Sequence, residues 1–527
     1  TKIERTQENT MAIVEPIEST PDGHRRLSLR STSDNQPFHE ITVNTKQDVA
    51  AALERARTAQ KKWAKVSLQR RAEIVRGAVD RLVEHREEII HDLRQDTGKT
   101  RAETLMVEII AACDAITHWS ACAVRDLSDE VRKTHAFIRP LKKLIIHYRP
   151  LGVVGVITPW NGPFALAVNP TTQALLAGNA VLLKPSEVAP RAGDWTARIF
   201  HEAGVPEDLL QVLHGDGETG AALVTAGVQK ISFTGSVATG RKIAIACAEQ
   251  LIPCTLELGG KDAMIVCADA DLERAANGAV FTSMFNTGHV CMGVERIYVV
   301  ESVADEFERL VEEKVREVRY AGSNSDETSE IGAVFWDRQL PIIQKHIEDA
   351  KSKGADVVVG GKADTNAGIF FEPTLVKNVD HTMDLMRHET FGPIVSIMRV
   401  KDEEEAIRLA NDSEYGLSGS VWTNDDAKGV EIAKQLETGS VQLNDASTAY
   451  GVLEAPFGGM KESGLGQVNG KGALRSYTFQ QPIIIDRWKR KTEQHWYPHT
   501  DKTAEELDQL VKYVYGTWMK KLWFMGK

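Results

Sequence analysis

The sequence predicts an α/β fold: two α/β units built on parallel sheets, plus a small β insertion. Three observations carry that expectation. After Pro150, compact apolar segments (LGVVGVI, NAVLLKP, LLQVLHG, KISFTG) alternate with helix-like stretches. That alternation is the signature of a parallel sheet buried on both faces. A second series of the same kind begins near Gly259, and a chain of 527 residues has room for about two to four domains.

The elements follow in order. To about Asp34 the chain reads as loop with one short strand. From Lys46 to about Leu127 it reads as helix. Val49, Ala52, Leu53, Ala56, Ala59 and Trp63 recur at helical spacing, as do Ile74, Ala78, Leu82, Ile89, Ile90 and Leu93. Asp96-Thr97-Gly98 marks a break, and a further helix starts at Arg101. HAFIRPLKKLIIHYRP, between Thr134 and Pro150, is rich in β-formers and predicts two short strands joined by a turn. The second α/β series runs through DAMIVCA, a long helix from Asp271, RIYVVE, a helix to Tyr320, DVVVGG, PTLVKNV and PIVSIMRV.

Composition narrows the function. With 63 basic against 74 acidic residues the net charge is −11, so no nucleic-acid partner is expected. Six cysteines (Cys113, Cys122, Cys247, Cys254, Cys267, Cys291) are too few for a disulfide framework. None forms a C-x-x-C pair, and no metal is expected. The first twenty residues contain no apolar targeting region, and no run approaches the roughly eighteen apolar residues of a membrane span. A cytoplasmic protein is expected, and Met11 is a candidate native first residue.

Several short motifs sit at strand ends. GDGETG (Gly215 to Gly220) matches G-x-G-x-x-G, but the acidic residue wanted about 20 positions on is missing. FTGSVATG (Phe233 to Gly240) joins a strand to a helix. Ser236 and the helix N–H groups after Gly235 can bind a pyrophosphate, or Ser236 is simply the N-cap of a plain turn. KPSE (Lys184 to Glu187) follows the strand NAVLL, where α/β folds bind ligands, and Glu187 can accept ribose hydroxyls. The alternative is a solvated surface pair.

Among the thiols, Cys291 in FNTGHVCMG has small, polar neighbours, whereas Cys267 lies inside the apolar MIVCA. A catalytic thiol needs a lowered pKa and access, so Cys291 outranks the other five. Glu257 ends the apolar strand of TLELGGK. Partly buried, it would be basic enough to serve as a general base; the other reading is a carboxylate facing solvent. Asn161 in ITPWNGPF is either an amide donor to an oxyanion or ordinary turn chemistry.

Together these motifs resemble the aldehyde dehydrogenase superfamily from about residue 45 to 490. The match rests on PLGVVGVITPWN, KPSE, FTGSVATG, LELGGK, GHVC, ETFGPIVSI and PFGGMKESGLG in order, with 34 residues from Glu257 to Cys291. The resemblance implies a Rossmann-like cofactor domain (1–130 and 151–258) and an α/β catalytic domain (259–473). It also implies a β bridging or oligomerisation arm (131–150 and 474–490), with a C-terminal extension at 491–527. It implies that Cys291 attacks the aldehyde, that Asn161 and the Cys291 N–H hold the alkoxide, and that Glu257 activates the hydrolytic water. NAD is the implied cofactor, with NADP possible: Glu187 would repel a 2′-phosphate, while Ser186 could admit one. Ile157, Thr158, Pro159, Trp160, Lys184, Ser186, Glu187, Phe233, Thr234, Gly235, Ser236, Leu258, Gly259, Glu389 and Phe391 would surround it. Gly215 would be a wall of the adenine pocket. Glu257 argues against a CoA-acylating relative, and the retained Cys291, Glu257 and Asn161 argue against a catalytically idle one.

There are departures from the family pattern. Pro170 and Val468 stand where many members carry a lysine and a glutamate that relay the general base's proton, and His388 precedes ETFGP. The substrate-pocket candidates Trp160, Leu166, Phe285, Val290, Met292 and Phe457 favour an apolar aliphatic or aromatic aldehyde. A homodimer or homotetramer is expected. Beyond about residue 490, Leu507, Leu510, Val511, Val514, Trp518, Leu522 and Met525 recur at helical spacing with Lys512, Lys520, Lys521 and Lys527. Such an amphipathic helix can pack on its own oligomer, cover a pocket or contact a membrane surface.

Overall fold

The computed structural model describes residues 12–21, 23–135, 138–322, 328–493 and 495–516. Met11 and the tail residues Trp518, Lys520, Lys521, Leu522, Met525 and Lys527 lie outside them. The described residues divide into two compact units, one within Thr1–Asp126 and Pro150–Tyr477, the other within Leu127–Arg149 and Thr478–Lys527.

The first unit holds two large sheets. The six-stranded sheet runs in the order Gly464–Leu465, Cys254–Glu257, Lys230–Thr234, Val153–Ile157, Ala180–Lys184, Leu210–Val212. All pairings are parallel except the short Gly464–Leu465 edge. Val153–Ile157 and Ala180–Lys184 are buried at every position, because helices cover both faces. Ile157, Lys184, Thr234 and Glu257 each end a strand of this sheet. The motifs ITPWN, KPSE, FTGS and LELGG therefore share one carboxyl edge, the place where open α/β sheets bind ligands.

The seven-stranded sheet runs Asp356–Val359, Thr374–Lys377, Ile394–Val400, Val294–Val300, Asp262–Val266, Ser418–Trp422, Ser440–Leu443, antiparallel only at its first pair. Alternate residues enter two separate cores. Ala263, Ile265 and Cys267 join one, and Met264 and Val266 the other. Cys267 is thus a core residue, and burial pushes its thiol up to about 12.

The helical reading of the N-terminal third holds. Helices run Lys46–Trp63, Leu68–Glu84 and Arg86–Thr97. Gly98 ends the third with φ 72, and a Cβ there would sit 2.4 Å from Thr32 Oγ1 and 2.7 Å from the Ala333 Cβ. The chain restarts at Arg101 with a Thr100–Glu103 capping box. Leu105–Ile110 is a π-helical turn, a feature frequent at functional sites.

Three expectations need correction. The N-terminal loop is in fact a three-stranded antiparallel sheet, Val14–Ile17, Arg26–Arg30 and Pro37–Thr42. Its signal is brief: Leu27 and Leu29 point inward, alternating with the polar Arg26, Ser28 and Arg30. Between Thr134 and Pro150 there is one strand, Lys142–Pro150, preceded by a helical turn, Ile138–Leu141. Its antiparallel partner is the earlier Glu130–Arg132, and Ala136 and Phe137 lie outside the described residues. Finally, the run Arg101–Leu127 is long and apolar enough to cross a membrane by length and composition alone. It behaves as a core helix. Ile116 and Trp119 are buried, and Trp119 Nε1 donates to Asn169 Oδ1 at 2.7 Å.

In the second unit, Thr478–Asp486, Lys142–Pro150 and Glu130–Arg132 form a three-stranded sheet. The helix Asp501–Tyr515 follows, with its capping box at Thr500. It includes Leu507, Leu510, Val511 and Val514 from the expected amphipathic helix.

Candidate active site

Cys291 follows a strained loop between the helix Leu272–Met284 and the strand Val294–Val300. Asn286, Thr287 and Gly288 all take left-handed backbone (φ 59, 57 and 74), rare for a β-branched residue such as Thr287. Such strain persists only where the surroundings enforce it. The Thr287 N–H donates to Glu103 Oε1 at 3.2 Å. Asn286 Nδ2 donates to the Asn161 and His289 carbonyls at 2.9 and 3.0 Å. A Cβ on Gly288 would lie 2.1 Å from Gly392 O, so the loop is pressed against the ETFGP segment.

Asn161 lies across this loop. Its Nδ2 donates to His289 O at 2.9 Å, which fixes the amide with nitrogen toward the cysteine loop and leaves the second N–H for another acceptor. A buried pair supports it from behind. Lys99 pairs with Glu108 on the π-helical turn, and Glu108 Oε2 accepts the Phe164 and Ala165 N–H groups at 3.1 and 2.9 Å.

Glu257 is only 4% exposed, and neither carboxylate oxygen has a hydrogen-bond partner. Burial pushes its pKa well above the usual carboxylate value. An unpaired buried carboxylate is costly, so it points to a task beyond folding. Two residues on, Gly259 and Gly260 bring three segments together. A Cβ on Gly260 would sit 2.2 Å from Cys291 O, and one on Gly259 would sit 2.5 Å from Glu389 Oε2. The Gly260 N–H donates to Glu389 Oε1 at 3.0 Å. Burial and the nearby Glu295 push Glu389 up to about 8. Phe391 takes φ 54, held by its N–H and that of Thr390 donating to Glu295 at 3.0 and 2.8 Å. Glu295 is paired with buried Lys261.

Half-buried Cys291 departs from one expectation. Burial, then the carboxylates of Glu389, Glu257 and Asp262, push its thiol up rather than down. These influences outweigh the Met292 N–H, which lowers it, so the resting thiol keeps its proton and needs a base. A different cysteine is acidified: Cys254 is lowered by a hydrogen bond from Cys247, with Lys230 adding to the effect.

At the carboxyl edge of the six-stranded sheet lies a cavity of about 390 Å³. Ile157, Thr158, Pro159, Trp160, Lys184, Ser186, Glu187, Phe233, Thr234, Gly235 and Ser236 line it. Leu258, Gly259, Glu389 and Phe391 do not: Leu258 packs on Gly240 of the cavity helix, and Gly259 meets Glu389, whose carboxylate acts on Cys291. Gly215 is also absent from the lining, contrary to the expected adenine wall. It is a turn residue at φ 146, and the next residues, Asp216, Gly217, Gly220 and Ala221, line the cavity instead. Trp336 and Lys242, which sequence reading missed, line it too. Lys242 is six residues past Ser236 on the same helix; Trp336 has no local signal.

The cavity fits a dinucleotide. Thr158 Oγ1 is buried without a partner at its lining. Ser236 caps the 13-residue helix Val237–Glu249, whose N-terminus suits an anion. Lys184 Nζ lies 3.5 Å from Glu187 Oε2, holding the carboxylate at the rim.

The pocket candidates are distributed as follows. Trp160 meets His289, Trp336 and Phe391 edge-on, with ring centroids 5.1, 5.9 and 5.5 Å apart. Leu166 packs at Gly162, and Phe285 stacks on Phe281 at 4.9 Å. The Val290 carbonyl accepts the Gly293 N–H, and that of Met292 accepts Ser447 Oγ at 3.2 Å. Phe457 is buried edge-on to Tyr450 at 5.3 Å. Burial pushes His289 down to about 3, so its ring is neutral.

A dinucleotide cavity at the carboxyl edge of the sheet, where the strand bearing the unpaired Glu257 carboxylate also ends, fits the class of nucleotide-dependent oxidoreductases. The aldehyde dehydrogenase family pattern matches residues 19–483. A Mycobacterium ulcerans (strain Agy99) protein bearing a succinate-semialdehyde dehydrogenase [NADP(+)] name is 37% identical over 482 residues, 91% of each chain. The 4,4'-diapolycopene aldehyde oxidase of Methylomonas sp is 34% identical over 507 residues, 96% of this chain and 92% of its own. A crystal structure of Mycobacterium tuberculosis aldehyde dehydrogenase complexed with NAD+ superposes with TM-score 0.83 at 33% identity, covering 87% of this chain and 94% of its own. The chain belongs to the aldehyde dehydrogenase family. It is an NAD(P)-dependent oxidoreductase acting on aldehydes.

Proposed function

We propose that this enzyme oxidises an apolar aldehyde to the carboxylic acid through a thioester on Cys291, with Asn161 as oxyanion donor and Glu257 as base. The observation that carries this is the buried, partnerless Glu257 carboxylate, three residues before a glycine that touches the Cys291 backbone. Its raised basicity lets it take the Cys291 proton as sulfur attacks the carbonyl carbon. The alkoxide is met by the free Asn161 N–H and the Cys291 N–H. The bound cofactor supplies the hydride acceptor. Loss of hydride leaves the thioester, and Glu257 then takes a proton from the attacking water. Water rather than CoA is the acceptor, because this base is retained.

Several finer assignments belong with this reading. The side chains named for the pocket are apolar or aromatic, which favours an apolar aldehyde over the charged semialdehyde in one relative's name. Glu187 at the cavity rim favours NAD over NADP. The cofactor and catalytic halves divide near Glu257. Copies of the chain associate, supported by the second unit's strand Thr478–Asp486, where Phe479 and Ile484 are 62% and 67% exposed. Helix Asp501–Tyr515 would then pack on the oligomer rather than on a membrane, and a reducing cytoplasm suits six free cysteines. The test is NADH formation across straight-chain aldehydes of rising length, benzaldehyde and succinic semialdehyde. Preference for succinic semialdehyde would contradict the apolar reading.

A further inference from the structure

A polar cluster lies beside Pro170 and Val468, the two departures from the family's proton relay. Asn169, 1% exposed, is fixed on its oxygen side by Trp119 Nε1 at 2.7 Å and Gln173 Nε2 at 3.0 Å. Its Nδ2 donates to the Tyr450 hydroxyl at 2.9 Å and to Asn469 Oδ1 at 3.2 Å. Asn469 Nδ2 in turn donates to the Tyr450 carbonyl at 2.8 Å. Tyr450 is thus held at both ends, with its ring edge-on to Phe457.

The direction of these bonds matters. Trp119 and Gln173 donate to the Asn169 oxygen, which turns Asn169 Nδ2 to the phenol, so the phenol oxygen accepts and its own proton is free to donate. Among the described residues no group accepts it. Chains of this kind polarise one another and strengthen the terminal donor. The segment carrying Tyr450 also reaches the cysteine loop: Ser447 Oγ donates to the Met292 carbonyl, next to Cys291, at 3.2 Å. Further along the same chain, Gly464 pairs with Glu257 across the sheet. The phenol lies close enough to Glu257 and Cys291 for either, once ionised, to act on it.

We propose that Tyr450, aimed by Asn169, is the hydroxyl that holds the hydrolytic water against Glu257. This rests on the thioester reading above. A tetrahedral water then gives one proton to Glu257, accepts a hydrogen bond from the Tyr450 hydroxyl on one lone pair and turns the other lone pair to the thioester carbon. The new C–O bond forms as Glu257 takes that first proton. The C–S bond breaks with its electron pair on sulfur, the second water proton leaves with the carboxylic acid, and Glu257 returns its proton to the Cys291 thiolate.

The test is Tyr450→Phe, which deletes the hydroxyl and keeps the ring, assayed with hexanal and NAD. The expected result is a full NADH burst, a steady-state kcat about tenfold to hundredfold lower, an unchanged burst rate, and a larger solvent deuterium effect on kcat. Hydroxylamine, which attacks a thioester without a positioned water, should restore turnover. Asn169→Asp offers the phenol an acceptor, draws its proton away from the site and should show the same split. Wild-type steady-state rates in Tyr450→Phe, or equal loss of burst and steady state in a folded variant, would overturn the proposal. Absence of NADH from the unaltered enzyme with every aldehyde would instead overturn the reading beneath it.

Discussion

Gly260→Ala tests the packing that joins the base strand to the cysteine. The added Cβ would lie 2.2 Å from Cys291 O, 2.9 Å from Asp262 Oδ1 and 3.3 Å from the Leu417 Cβ. Contact on three sides leaves no direction of escape. Reaching the ordinary 3.4 Å limit requires the Cys291 carbonyl to move by about 1.2 Å, and misplacement of about 1 Å costs roughly a hundredfold in rate. We therefore expect kcat/KM for aldehyde to fall about a hundredfold, roughly 2.7 kcal/mol of transition-state stabilisation. NAD binding by fluorescence should be retained, because the cavity of Lys184, Glu187 and Ser236 does not involve Gly260. Gly472→Ala is the control, since a Cβ there meets nothing within 4 Å. A folded Gly260→Ala enzyme within about threefold of wild type would refute the claim that this contact sets the thiol's position.

Other consequences follow from the same geometry. Glu257 has a raised folded pKa, so ionisation above its usual value of 4.5 is resisted by the fold and stability falls as pH rises from there. Glu257→Gln should melt higher than wild type at about pH 8, with the gap closing toward pH 4.5; an equal gap at both would contradict the burial argument. Glu103→Ala leaves the buried Thr287 N–H unpaired, at a cost of about 1–3 kcal/mol, and should lower both melting temperature and kcat. Unchanged kcat in that variant would show that the left-handed turn holds itself. Glu187→Ser should lower KM for NADP at least about tenfold by removing a charge near the 2′-phosphate, and an unchanged NADP/NAD ratio would discard that assignment.

Much of the fold was legible because strands such as Val153–Ile157 are apolar throughout and their helices carry regular periodicity. Cys291 and Cys267 were separable by neighbouring residues alone. The pKa direction of Cys291 was not, because Glu389, Glu257 and Asp262 reach it from other segments. The N-terminal sheet escaped notice because two inward leucines, Leu27 and Leu29, are its main signal. Glu103, Glu108 and Lys99 read as an ordinary charged helix start, and only the tertiary fold turns them into a clamp on the Cys291 and Asn161 loops. Asn169 and Tyr450 meet across 281 residues, beyond any local pattern. Gly215 shows the reverse error: a literal motif drew attention to a turn glycine, when the helix just after it faces the cavity.

The most direct test of the account is to trap the acyl enzyme. Glu257→Gln, given NAD and hexanal, should release NADH more slowly than wild type, because the thiol has lost its base, reach about one per subunit and then stall. Mass spectrometry of the peptide containing Cys291 should show the acyl group on that sulfur, and Cys291→Ala should show neither burst nor adduct. Continued turnover by Glu257→Gln at the wild-type rate, or NADH release with the acyl group on another residue such as Cys254, would contradict it.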